Sequence, residues 1–459
     1  MVVGAISSRT EVAVIGAGPG GYVAALRAAD AGLDVTLIEK NALGGTCLNV
    51  GCIPSKALIE IANVRQHALA AESSGLTAQV DVNVPTMMER LQTISGDLRG
   101  GVTSLLNAAG VEVIAGTANF ARYDRLSIEH GDLVSHLEFD NAIVATGSRP
   151  RTLPGFELSS RIVDSTGALA LQKLPATMVV IGGGYIGVEL GTAWAKLGVQ
   201  VTIVEASDSL LGEVPAALRR PVERRLKQLG ITVVLGELAS EPTAQGVRLA
   251  SGSVVAGDII VVAIGRQPNS DRCSLGSVGV RTDDHGHIQV DSQMRAARNI
   301  YAIGDLVPGP ALAHKASAEA EVAVEAIRGW GTSFAPAAIP AVVFSDPEII
   351  TVGVTPEQAA AEDLPVHSFP HAASARAKTM GASSGVTIVV ADEHDTVLGI
   401  HAVGPHVSEL AGEATLAIEM AATLEDLALS IHPHPTMSET IAEASWLAQG
   451  APLHFRSTR

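Results

Sequence analysis

The feature that most constrains the fold is a segment that recurs with the same pattern. Residues 15–40 read IGAGPGGYVAALRAADAGLDVTLIEK, and residues 181–206 read IGGGYIGVELGTAWAKLGVQVTIVEA, aligned without a gap. Each copy has the end of an apolar strand, a glycine-rich turn, a helical pattern and a second strand. This is the βαβ unit that binds dinucleotides. Two copies predict an α/β fold with two Rossmann-like dinucleotide-binding domains.

The glycines of each copy have distinct expected tasks. Gly16 allows a tight turn, Gly18 lets the backbone approach a pyrophosphate, and Gly21 lets helix and strand pack closely. Glu39 ends the second strand, where an acid hydrogen-bonds an adenosine ribose. The equivalent positions in the second copy are Gly182, Gly184, Gly187 and Glu205. One site of a duplicated fold can be lost, but both copies keep every phosphate-facing glycine, which predicts two bound dinucleotides.

Charge and neighbouring residues indicate which dinucleotide each copy binds. Glu205 would repel a 2′-phosphate, and residues 206–210 provide no Arg or Lys to receive one, so the second site is predicted to bind NAD. The first site lies just upstream of two cysteines. A hydride exchanged with a nicotinamide must be converted to electrons that a disulfide accepts, so we expect FAD in the first site.

Those cysteines lie in residues 44–56, GGTCLNVGCIPSK. Residues five apart on a regular helix have Cα atoms about 8.6 Å apart, beyond the roughly 7 Å that a disulfide tolerates. The helix is therefore predicted to be distorted, and Pro54 supplies a cause because its ring would clash with the Val50 carbonyl. We interpret Cys47 and Cys52 as a redox-active disulfide; a structural cystine and two free thiols are the alternatives. Cys273 is expected to be a small apolar core residue.

Composition excludes several classes of function. Lys and Arg number 31 against 48 Asp and Glu, a net charge of −17, which disfavours nucleic acid as a partner. Residues 1–10 lack a signal-peptide pattern, and no apolar window reaches the roughly 18 residues of a membrane span. Three cysteines do not form a secreted disulfide framework. We expect a cytoplasmic protein without a membrane or nucleic-acid partner, and we predict no metal site.

Two similar strands close the two halves. Residues 140–150 (DNAIVATGSRP) and 258–268 (DIIVVAIGRQP) each end in a proline that marks a crossing between domains. A third apolar strand, residues 299–305, ends in Asp305, which is either a ligand contact at a sheet edge or a solvated turn. After residues 336–340 the pattern changes to short alternating strands with two helices, typical of an α+β domain. The predicted domains are an FAD-binding domain at 1–149, an NAD-binding domain at 150–269, a return segment of the FAD-binding or central domain at 270–336, and a C-terminal interface domain at 337–459.

The C-terminal domain ends near residues 431–439, IHPHPTMSE. Two prolines fix an extended path, and Glu439 follows His434 closely enough for a carboxylate to orient an imidazole as a base. A solvated His/Pro loop before a helix is the alternative.

Taken together, the segment GGTCLNVGCIPSK, the paired glycine motifs, the ATG and AIGD strands and HPHPTMSE resemble the pyridine nucleotide-disulfide oxidoreductases over essentially the whole chain. Within them the chain is most similar to the dihydrolipoamide dehydrogenases, which share CIPSK; glutathione reductases usually have Lys at the position of Ser55. Mercuric and high-molecular-weight thioredoxin reductases carry a C-terminal cysteine pair, but here no cysteine follows Cys273. Pro433, where Ala is common, leaves the spacing of the dyad intact.

The resemblance implies a role for each matching residue. Cys47 would exchange with substrate, Cys52 would contact the flavin, and Lys56 would lie by the flavin paired with Glu189. His434 and Glu439 would form a catalytic dyad that reaches the disulfide of the other subunit of a homodimer. The implied FAD contacts are Gly16, Gly18, Pro19, Gly20, Gly21, Glu39, Lys40, Gly45, Thr46, Lys56, Gly116, Thr146, Gly147, Asp305 and Ala313. The implied NAD contacts are Gly182, Gly184, Tyr185, Ile186, Gly187, Glu205 and Gly265.

The implied activity is oxidation of dihydrolipoamide with reduction of NAD⁺. The implied partner is a lipoyl-bearing domain or the acyltransferase core of a 2-oxo acid dehydrogenase complex, and the glycine cleavage complex is the other system that such an enzyme serves. A reductase of another small disulfide, of the glutathione or mycothione type, is the alternative enzyme, and those enzymes usually prefer NADPH. A binding subunit docked on an acyltransferase core is an alternative of another class.

Overall fold

The fold was analysed in a computed structural model, which describes residues 7–456. Residues 1–6 and 457–459 lie outside the described residues. They include the two outer limits of the predicted domains and part of the N-terminal stretch that is predicted to lack a signal. No helix within the described range is long and apolar enough to cross a bilayer.

The elements up to residue 150 are β1 (Ser7–Ile15), α1 (Pro19–Asp30), β2 (Val35–Glu39), α2 (Gly45–Val50), α3 (Cys52–Ala70), α4 (Val84–Ala108), β3 (Glu112–Ala115), β4 (Thr117–Arg122), β5 (Arg125–His130), β6 (Leu133–Val144) and β7 (Ser148–Pro150). Those of the second part are β8 (Ile162–Val163), α5 (Ser165–Ala168), β9 (Thr177–Ile181), α6 (Tyr185–Lys196), β10 (Gln200–Val204), α7 (Ala216–Gln228), β11 (Thr232–Val234), β12 (Ala239–Pro242), β13 (Gly246–Leu249), β14 (Val254–Ala256), β15 (Ile259–Val262) and β16 (Arg266–Pro268).

The return segment contains β17 (Arg295–Ala297), β18 (Ile300–Ala302) and α8 (Ala313–Ile327). The C-terminal part contains β19 (Ala341–Val343), β20 (Glu348–Gly353), α9 (Pro356–Ala361), β21 (Val366–Pro370), α10 (Ala375–Thr379), β22 (Val386–Ala391), β23 (Val397–Gly404), α11 (Ala411–Glu419), α12 (Leu424–Leu429) and α13 (Glu439–Ala448). Short 3₁₀ turns lie at Ala71–Ser74, Leu275–Val278, Gly304–Leu306, His371–Ala373 and Val407–Leu410.

The first sheet is organised around the first glycine-rich unit. Its strand order is β17-β18-β6-β1-β2-β3, and β4 and β5 extend from β6 as an antiparallel meander. The strands β18, β6, β1, β2 and β3 pair in parallel, so their carboxyl ends share one edge. The central strand β1 is buried on both faces, which explains its continuous apolar run from Val12 to Ile15.

The second sheet repeats this plan around the second unit. Its order is β11-β10-β9-β15-β8, and all of its pairs are parallel. A short antiparallel pair of β7 and β16 joins the two halves where the two prolines predicted crossings. The C-terminal part forms an antiparallel sheet, β19-β20-β23-β22-β21, packed against α11 and α13. The predicted mixed α/β class is confirmed.

Several predicted bounds differ from the structure. The sequence of residues 57–66 predicts a helix, and in the structure this helix runs over Cys52–Ala70. The sequence also predicts a helix near residues 407–423, but the structure has a 3₁₀ turn there followed by α11. Residues 126–138 alternate as short strands are predicted to do, and in the structure they form β5 and the first half of β6, separated by a turn at Gly131, which has φ of +58°. β6 then continues without interruption into the strand predicted near 140, because β5 pairs with its first half and β1 and β18 pair with its second half.

Candidate functional site

The two glycine-rich turns have nearly the same geometry. Gly16 has φ of +99°, and a Cβ there would lie 2.5 Å from the Ala145 carbonyl oxygen. The corresponding values at Gly182 are +109° and 2.4 Å, to the carbonyl oxygen of Ala263. Only glycine fits either position, since the left-handed conformation and the close approach of backbone both exclude a side chain. The strands ending at these turns are β1 and β9.

The third glycine of each turn brings helix and strand together. A Cβ on Gly21 would lie 1.8 Å from the Gly16 carbonyl oxygen, and one on Gly187 would lie 2.0 Å from that of Gly182. The task expected of this glycine, close packing of the helix on the turn, is therefore present in both copies.

The middle glycines test whether a dinucleotide fits. Gly18 and Gly184 have ordinary φ values of −67° and −71°, and a Cβ on either would meet no described atom within 4 Å. Neither backbone strain nor packing within residues 7–456 requires glycine there. Each is the N-cap of a 12-residue helix, where backbone N–H groups favour an anion. A pyrophosphate in contact with the backbone accounts for both glycines.

The two acids occupy the same place at the ends of β2 and β10. Glu39 Oε2 accepts a hydrogen bond from the Ala17 amide at 2.7 Å, and Glu205 Oε2 accepts one from the Gly183 amide at 2.6 Å. Glu205 also accepts from the backbone and side chain of Ser207. Burial alone would raise the pKa of Glu205, but these hydrogen bonds outweigh it and lower the pKa. The second site therefore keeps a negative charge that disfavours a 2′-phosphate.

The cysteine segment is broken as its spacing predicts. α2 ends at Val50 and α3 begins at Cys52, with Gly51 between them at φ −137° and ψ −111°. The break removes the clash that Pro54 would cause in one continuous helix. It also brings the two thiols within hydrogen-bonding range of each other. Both are free thiols in this structure, so the disulfide itself stays a prediction.

The two thiols differ in proton affinity. The hydrogen bond with Cys52, reinforced by burial, raises the pKa of Cys47 above its ordinary value. The same hydrogen bond lowers the pKa of Cys52 to about 7, and the charge of Lys56 acts in the same direction against burial. Cys52 is therefore the sulfur that carries negative charge near neutral pH, with Cys47 as its proton donor. Cys273 is buried in an apolar cluster, which raises its pKa to about 11.

One carboxylate connects the cysteine helix to two other parts of the chain. Lys56 Nζ lies 2.8 Å from Glu189 Oε2 and 4.7 Å from the centre of the Phe344 ring. The other oxygen of Glu189 accepts a hydrogen bond from the Phe344 amide at 2.9 Å. The Glu189 side chain is only 4% exposed, so its charge is held by these two partners. The pairing of Lys56 with Glu189 that the resemblance implied is present.

Asp305 lies at the edge shared by the two halves. It occupies the 3₁₀ turn after β18, where its carboxylate accepts a hydrogen bond from Ser148 of β7. Arg266 of β16 donates to the Ser148 hydroxyl at 2.7 Å and lies 4.0 Å from Asp305. This network places Asp305 at the carboxyl ends of parallel strands rather than in an isolated solvated turn.

The remaining predicted cofactor residues cluster at the carboxyl edges of the two parallel sheets. Gly45 packs against the first turn, since a Cβ on it would lie 2.6 Å from Gly18 Cα. Gly116 donates to the Glu39 carbonyl at 2.9 Å. The others lie in turns or at helix starts that come after a strand of one of these sheets, as their positions in the chain show: Pro19, Gly20, Lys40, Thr46, Thr146, Gly147 and Ala313 around the first sheet, and Tyr185, Ile186 and Gly265 around the second. Their contacts with a cofactor stay predictions.

A buried ion pair beside Asp305 was not predicted. Lys315 and Glu319 of α8 pair at 2.5 Å with side chains 2% and 1% exposed, and Glu319 accepts a hydrogen bond from the Gly304 amide at 2.7 Å. The spacing of four residues on a helix is the only sequence signal for this pair. The pair fixes the turn that carries Asp305.

The predicted dyad is assembled in the C-terminal part. His434 Nδ1 and Glu439 Oε1 are 2.8 Å apart, and the other oxygen of Glu439 accepts from the Thr436 amide at 2.8 Å. Glu439 is the first residue of α13, while the His434 ring is 67% exposed. Among the hydrogen bonds of residues 7–456, none joins His434 to Cys47 or Cys52. Within the described part of one chain, the dyad and the cysteine pair are therefore not joined by a hydrogen bond.

Several large apolar side chains are exposed in the loop and helices that precede the dyad in the chain. Ile431 is 98% exposed, and Leu416, Met420 and Leu429 of the neighbouring helices are also exposed. Large apolar side chains exposed in one region of the chain are typical of a protein interface. His434 therefore lies on a face suited to a second protein chain.

Two further imidazole–carboxylate pairs lie in this region and were missed in the sequence. His432 Nε2 lies 2.7 Å from Glu413 Oε1, and His454 Nδ1 lies 2.6 Å from Glu443 Oε1. In each pair, the hydrogen bond that the imidazole donates to the carboxylate raises the pKa of the histidine. The members of each pair are 19 and 11 residues apart, and each histidine lies outside the helix that carries its partner, so no sequence pattern signals them.

Comparison with known proteins agrees with this geometry. Residues 10–320 match the family described as pyridine nucleotide-disulphide oxidoreductase, and residues 339–445 match its dimerisation domain, which supports a homodimer. Dihydrolipoyl dehydrogenases of Halobacterium salinarum and Geobacillus stearothermophilus are 47% and 45% identical to the chain, with 99% of each chain covered. LpdA from Mycobacterium tuberculosis superposes with a TM-score of 0.90 at 28% identity, covering 96% of this chain and 99% of LpdA.

Enzymes of the dihydrolipoyl dehydrogenase type use FAD and NAD, the two dinucleotides predicted for the two glycine-rich units. The family matches together span the sheets, the cysteine pair and the dyad described above. The chain therefore belongs to the pyridine nucleotide-disulphide oxidoreductase family.

Proposed function

We propose that the chain is a dihydrolipoyl dehydrogenase, which oxidises dihydrolipoamide to lipoamide and reduces NAD⁺. The observation that carries the proposal is the thiol pair across the Gly51 break, with Lys56 and Glu189 beside it. Full-length similarity to dihydrolipoyl dehydrogenases supports this substrate over other disulfides.

The two glycine-rich turns are the proposed cofactor sites. We propose that the turn around Gly18 and the acid Glu39 hold FAD, and that the turn around Gly184 and Glu205 hold NAD. When bound, FAD supplies the conversion of two electrons from a thiolate into a hydride that NAD⁺ accepts. The sheet memberships support the domain limits proposed from the sequence, with crossings near residues 150 and 269 and the interface domain from 337.

In the oxidised enzyme we propose a disulfide between Cys47 and Cys52. His434 of a second copy takes a proton from one substrate thiol, and Glu439 stabilises the resulting imidazolium. The substrate thiolate attacks Cys47 Sγ, so that a mixed disulfide forms and Cys52 leaves as a thiolate. The second substrate thiol then displaces Cys47, which takes up a proton while lipoamide is released as a cyclic disulfide. Two substrate S–H bonds are thus exchanged for one S–S bond, and the enzyme disulfide is reduced.

The charge distribution suits the product of these steps. Cys52, whose pKa is lowered to about 7, remains a thiolate beside Lys56, while Cys47 is protonated. We propose that the apolar surface around Ile431 is where the second copy packs, which would bring its dyad to the thiols. A lipoyl-bearing domain or acyltransferase core of a 2-oxo acid dehydrogenase or glycine cleavage system is the proposed partner, in the cytoplasm.

The test is an assay of purified, FAD-loaded protein with dihydrolipoamide and NAD⁺. We expect turnover in the wild type and a loss of more than about a thousandfold for Cys47→Ser, because covalent exchange then has no acceptor sulfur. Cys273→Ala is the matched control, since Cys273 is buried in an apolar cluster away from the thiol pair, and it should keep full activity. Absence of dihydrolipoamide turnover, with NADPH oxidation by glutathione disulfide or mycothione instead, would replace this proposal with the alternative reductase.

A further inference from the structure

The pair formed by His454 and Glu443 lies next to the predicted dyad. Glu443 and Glu439 are four residues apart on α13, so their side chains lie on one helix face with Cβ atoms about 5–6 Å apart. The Glu443 side chain is 10% exposed and that of Glu439 is 26% exposed. Two carboxylates this close in a half-buried setting repel each other unless each has its own cation. His434 supplies a partner for Glu439, and His454 supplies one for Glu443.

The tail that carries His454 is fixed to the domain. Phe455 packs edge-on against Phe369 of β21, with ring centres 6.4 Å apart. The His454 amide also faces the Glu443 carboxylate at 3.3 Å, so backbone and ring both donate to the same group. The tail is therefore fixed by the Phe455 ring, and the His454 amide and ring both contact Glu443, while the imidazole itself is 67% exposed.

We propose that His454 and Glu443 are positioning residues for the dyad: their paired charges cancel near Glu439 and so set the pH at which His434 becomes a competent base. The inference rests on the proposed function, because it assigns the dyad its role in taking the substrate proton. While His454 is protonated, Glu443 adds little negative potential at His434. Without it, the bare Glu443 anion would favour the imidazolium of His434 and delay its deprotonation.

Other charged groups face the dyad and must remain unchanged in the test. His432 and Glu413 form a pair between the His/Pro loop and α11, and the charge of Glu439 acts on His432. From β22, Thr387 bonds both Thr440 of α13 and the buried His371. Burial lowers the pKa of His371 to about 4, so its ring is neutral over the pH range of interest.

The experiment measures kcat/KM for dihydrolipoamide from about pH 5.5 to pH 9. In His454→Gln we expect the midpoint of the rising limb to move upward by about half a pH unit, the size expected of one partly screened charge nearby. His454→Lys keeps a cation at this position and should leave the midpoint at or below that of the wild type. In the double variant Glu443→Gln with His454→Gln, both charges are gone and the midpoint should return to the wild-type value.

His394→Gln is the matched control, because His394 is an exposed histidine beside a glutamate, Glu393, in the turn between β22 and β23. It should not move the midpoint. A purely structural role for His454 would lower the rate or the melting temperature without moving the midpoint, and an upward shift that persists in the double variant would also overturn the inference.

A readout without substrate separates this inference from the proposed function. Titration of histidine ring signals by NMR in the FAD-loaded protein should show the His434 midpoint rising in His454→Gln. If the wild type does not oxidise dihydrolipoamide but this shift is present, the proposed function fails and the electrostatic coupling stands. If the wild type is active and no shift is seen by either method, the coupling is wrong.

Discussion

The two glycine-rich units share a scaffold but differ in the segment that packs on it. In both, the first glycine fits under a carbonyl and the acid on the second strand accepts from the amide between the glycines, at 2.7 Å in one and 2.6 Å in the other. After the first unit, Gly44 donates to the Ala17 carbonyl and leads into the cysteine helix. After the second, Leu211 donates to the Gly183 carbonyl, and no cysteine lies in this part of the sequence.

The difference shows how one duplicated fold provides two chemistries. The glycine turn fixes only where a pyrophosphate lies. The segment that comes back to the turn decides what else lies there: α2 with Cys47 in the first unit, and the buried Leu210 in the second. The first unit is thus expected to be the redox site and the second a binding site for a diffusible nucleotide.

Substitution of the third glycine of a turn should have the largest effect on cofactor binding, and it should affect only the unit that carries the substitution. In Gly21→Ala the added methyl group meets the Gly16 carbonyl at 1.8 Å, and in Gly187→Ala it meets that of Gly182 at 2.0 Å. Relief of the clash should cost about 1–3 kcal/mol at the turn, or roughly 5- to 150-fold in affinity. We expect Gly21→Ala to lose FAD, measured as flavin absorbance per chain, and Gly187→Ala to keep FAD but bind NAD weakly, measured by calorimetry.

The matched control is Gly100→Ala, in α4, where a Cβ meets no described atom within 4 Å. It should bind both cofactors normally and gain about 0.5–1 kcal/mol in helix stability. Equal loss of both cofactors from Gly187→Ala would mean that the two units do not act separately.

Substitution of Glu205 or Glu39 should have a smaller effect, again confined to the cofactor of the unit that carries the substitution. In Glu205→Gln we expect NADH to bind about tenfold more weakly and the preference for NADH over NADPH to shrink, because one charge-assisted hydrogen bond and one repulsive charge are lost. Glu39→Gln should instead weaken retention of FAD. Both are measured by cofactor titration.

Glu241→Gln serves as the control, since Glu241 lies in the same part of the chain in an exposed pair with Arg248. An unchanged ratio of NADH to NADPH binding in Glu205→Gln would remove the charge argument for the second site.

The smallest effect concerns pH. Because the pKa of Cys52 is lowered to about 7, the thiolate-to-flavin absorbance of the reduced enzyme should appear as pH rises through about 7 and fade below it. Lys56→Met removes a cation that favours the thiolate, so the midpoint should move upward by about one unit. NADH affinity should stay flat over the same range, since the pKa of Glu205 is lowered and its carboxylate remains ionised.

If the thiolate absorbance of the wild type had its midpoint near the ordinary thiol pKa of about 8.5, the lowered pKa of Cys52 would be contradicted. A pH-dependent NADH affinity in the same titration would contradict the separation of the two units.

The sequence predicts most strongly where a local pattern has a single structural solution. The βαβ units, the break between Cys47 and Cys52 and the dyad spacing belong to this class, because each depends on residues within about 25 positions along the chain. The three-stranded sheet of β12–β14 and the helix α7 were not predicted, since strands of three or four residues and a helix containing Pro221 have weak signals. The domain limits and the cofactor contacts remain predictions.

Contacts between residues far apart in the chain are a second kind of feature that the sequence patterns do not predict. Lys56 and Glu189 are 133 residues apart, and only the family resemblance paired them. The network of Ser148, Arg266 and Asp305 depends on β7 and β16 meeting, which no periodicity reports. The pair of His454 and Glu443 likewise exists only because the tail folds back on α13.

Glu189 also limits how this enzyme could be re-engineered. Its two oxygens are shared between Lys56 of the cysteine helix and Phe344 at the start of the C-terminal sheet. A chimaera that imports a foreign nucleotide-binding section, for instance to change coenzyme choice, would therefore have to retain a carboxylate at this position. A graft lacking it would leave an ammonium and an amide without an acceptor at the junction of all three sections.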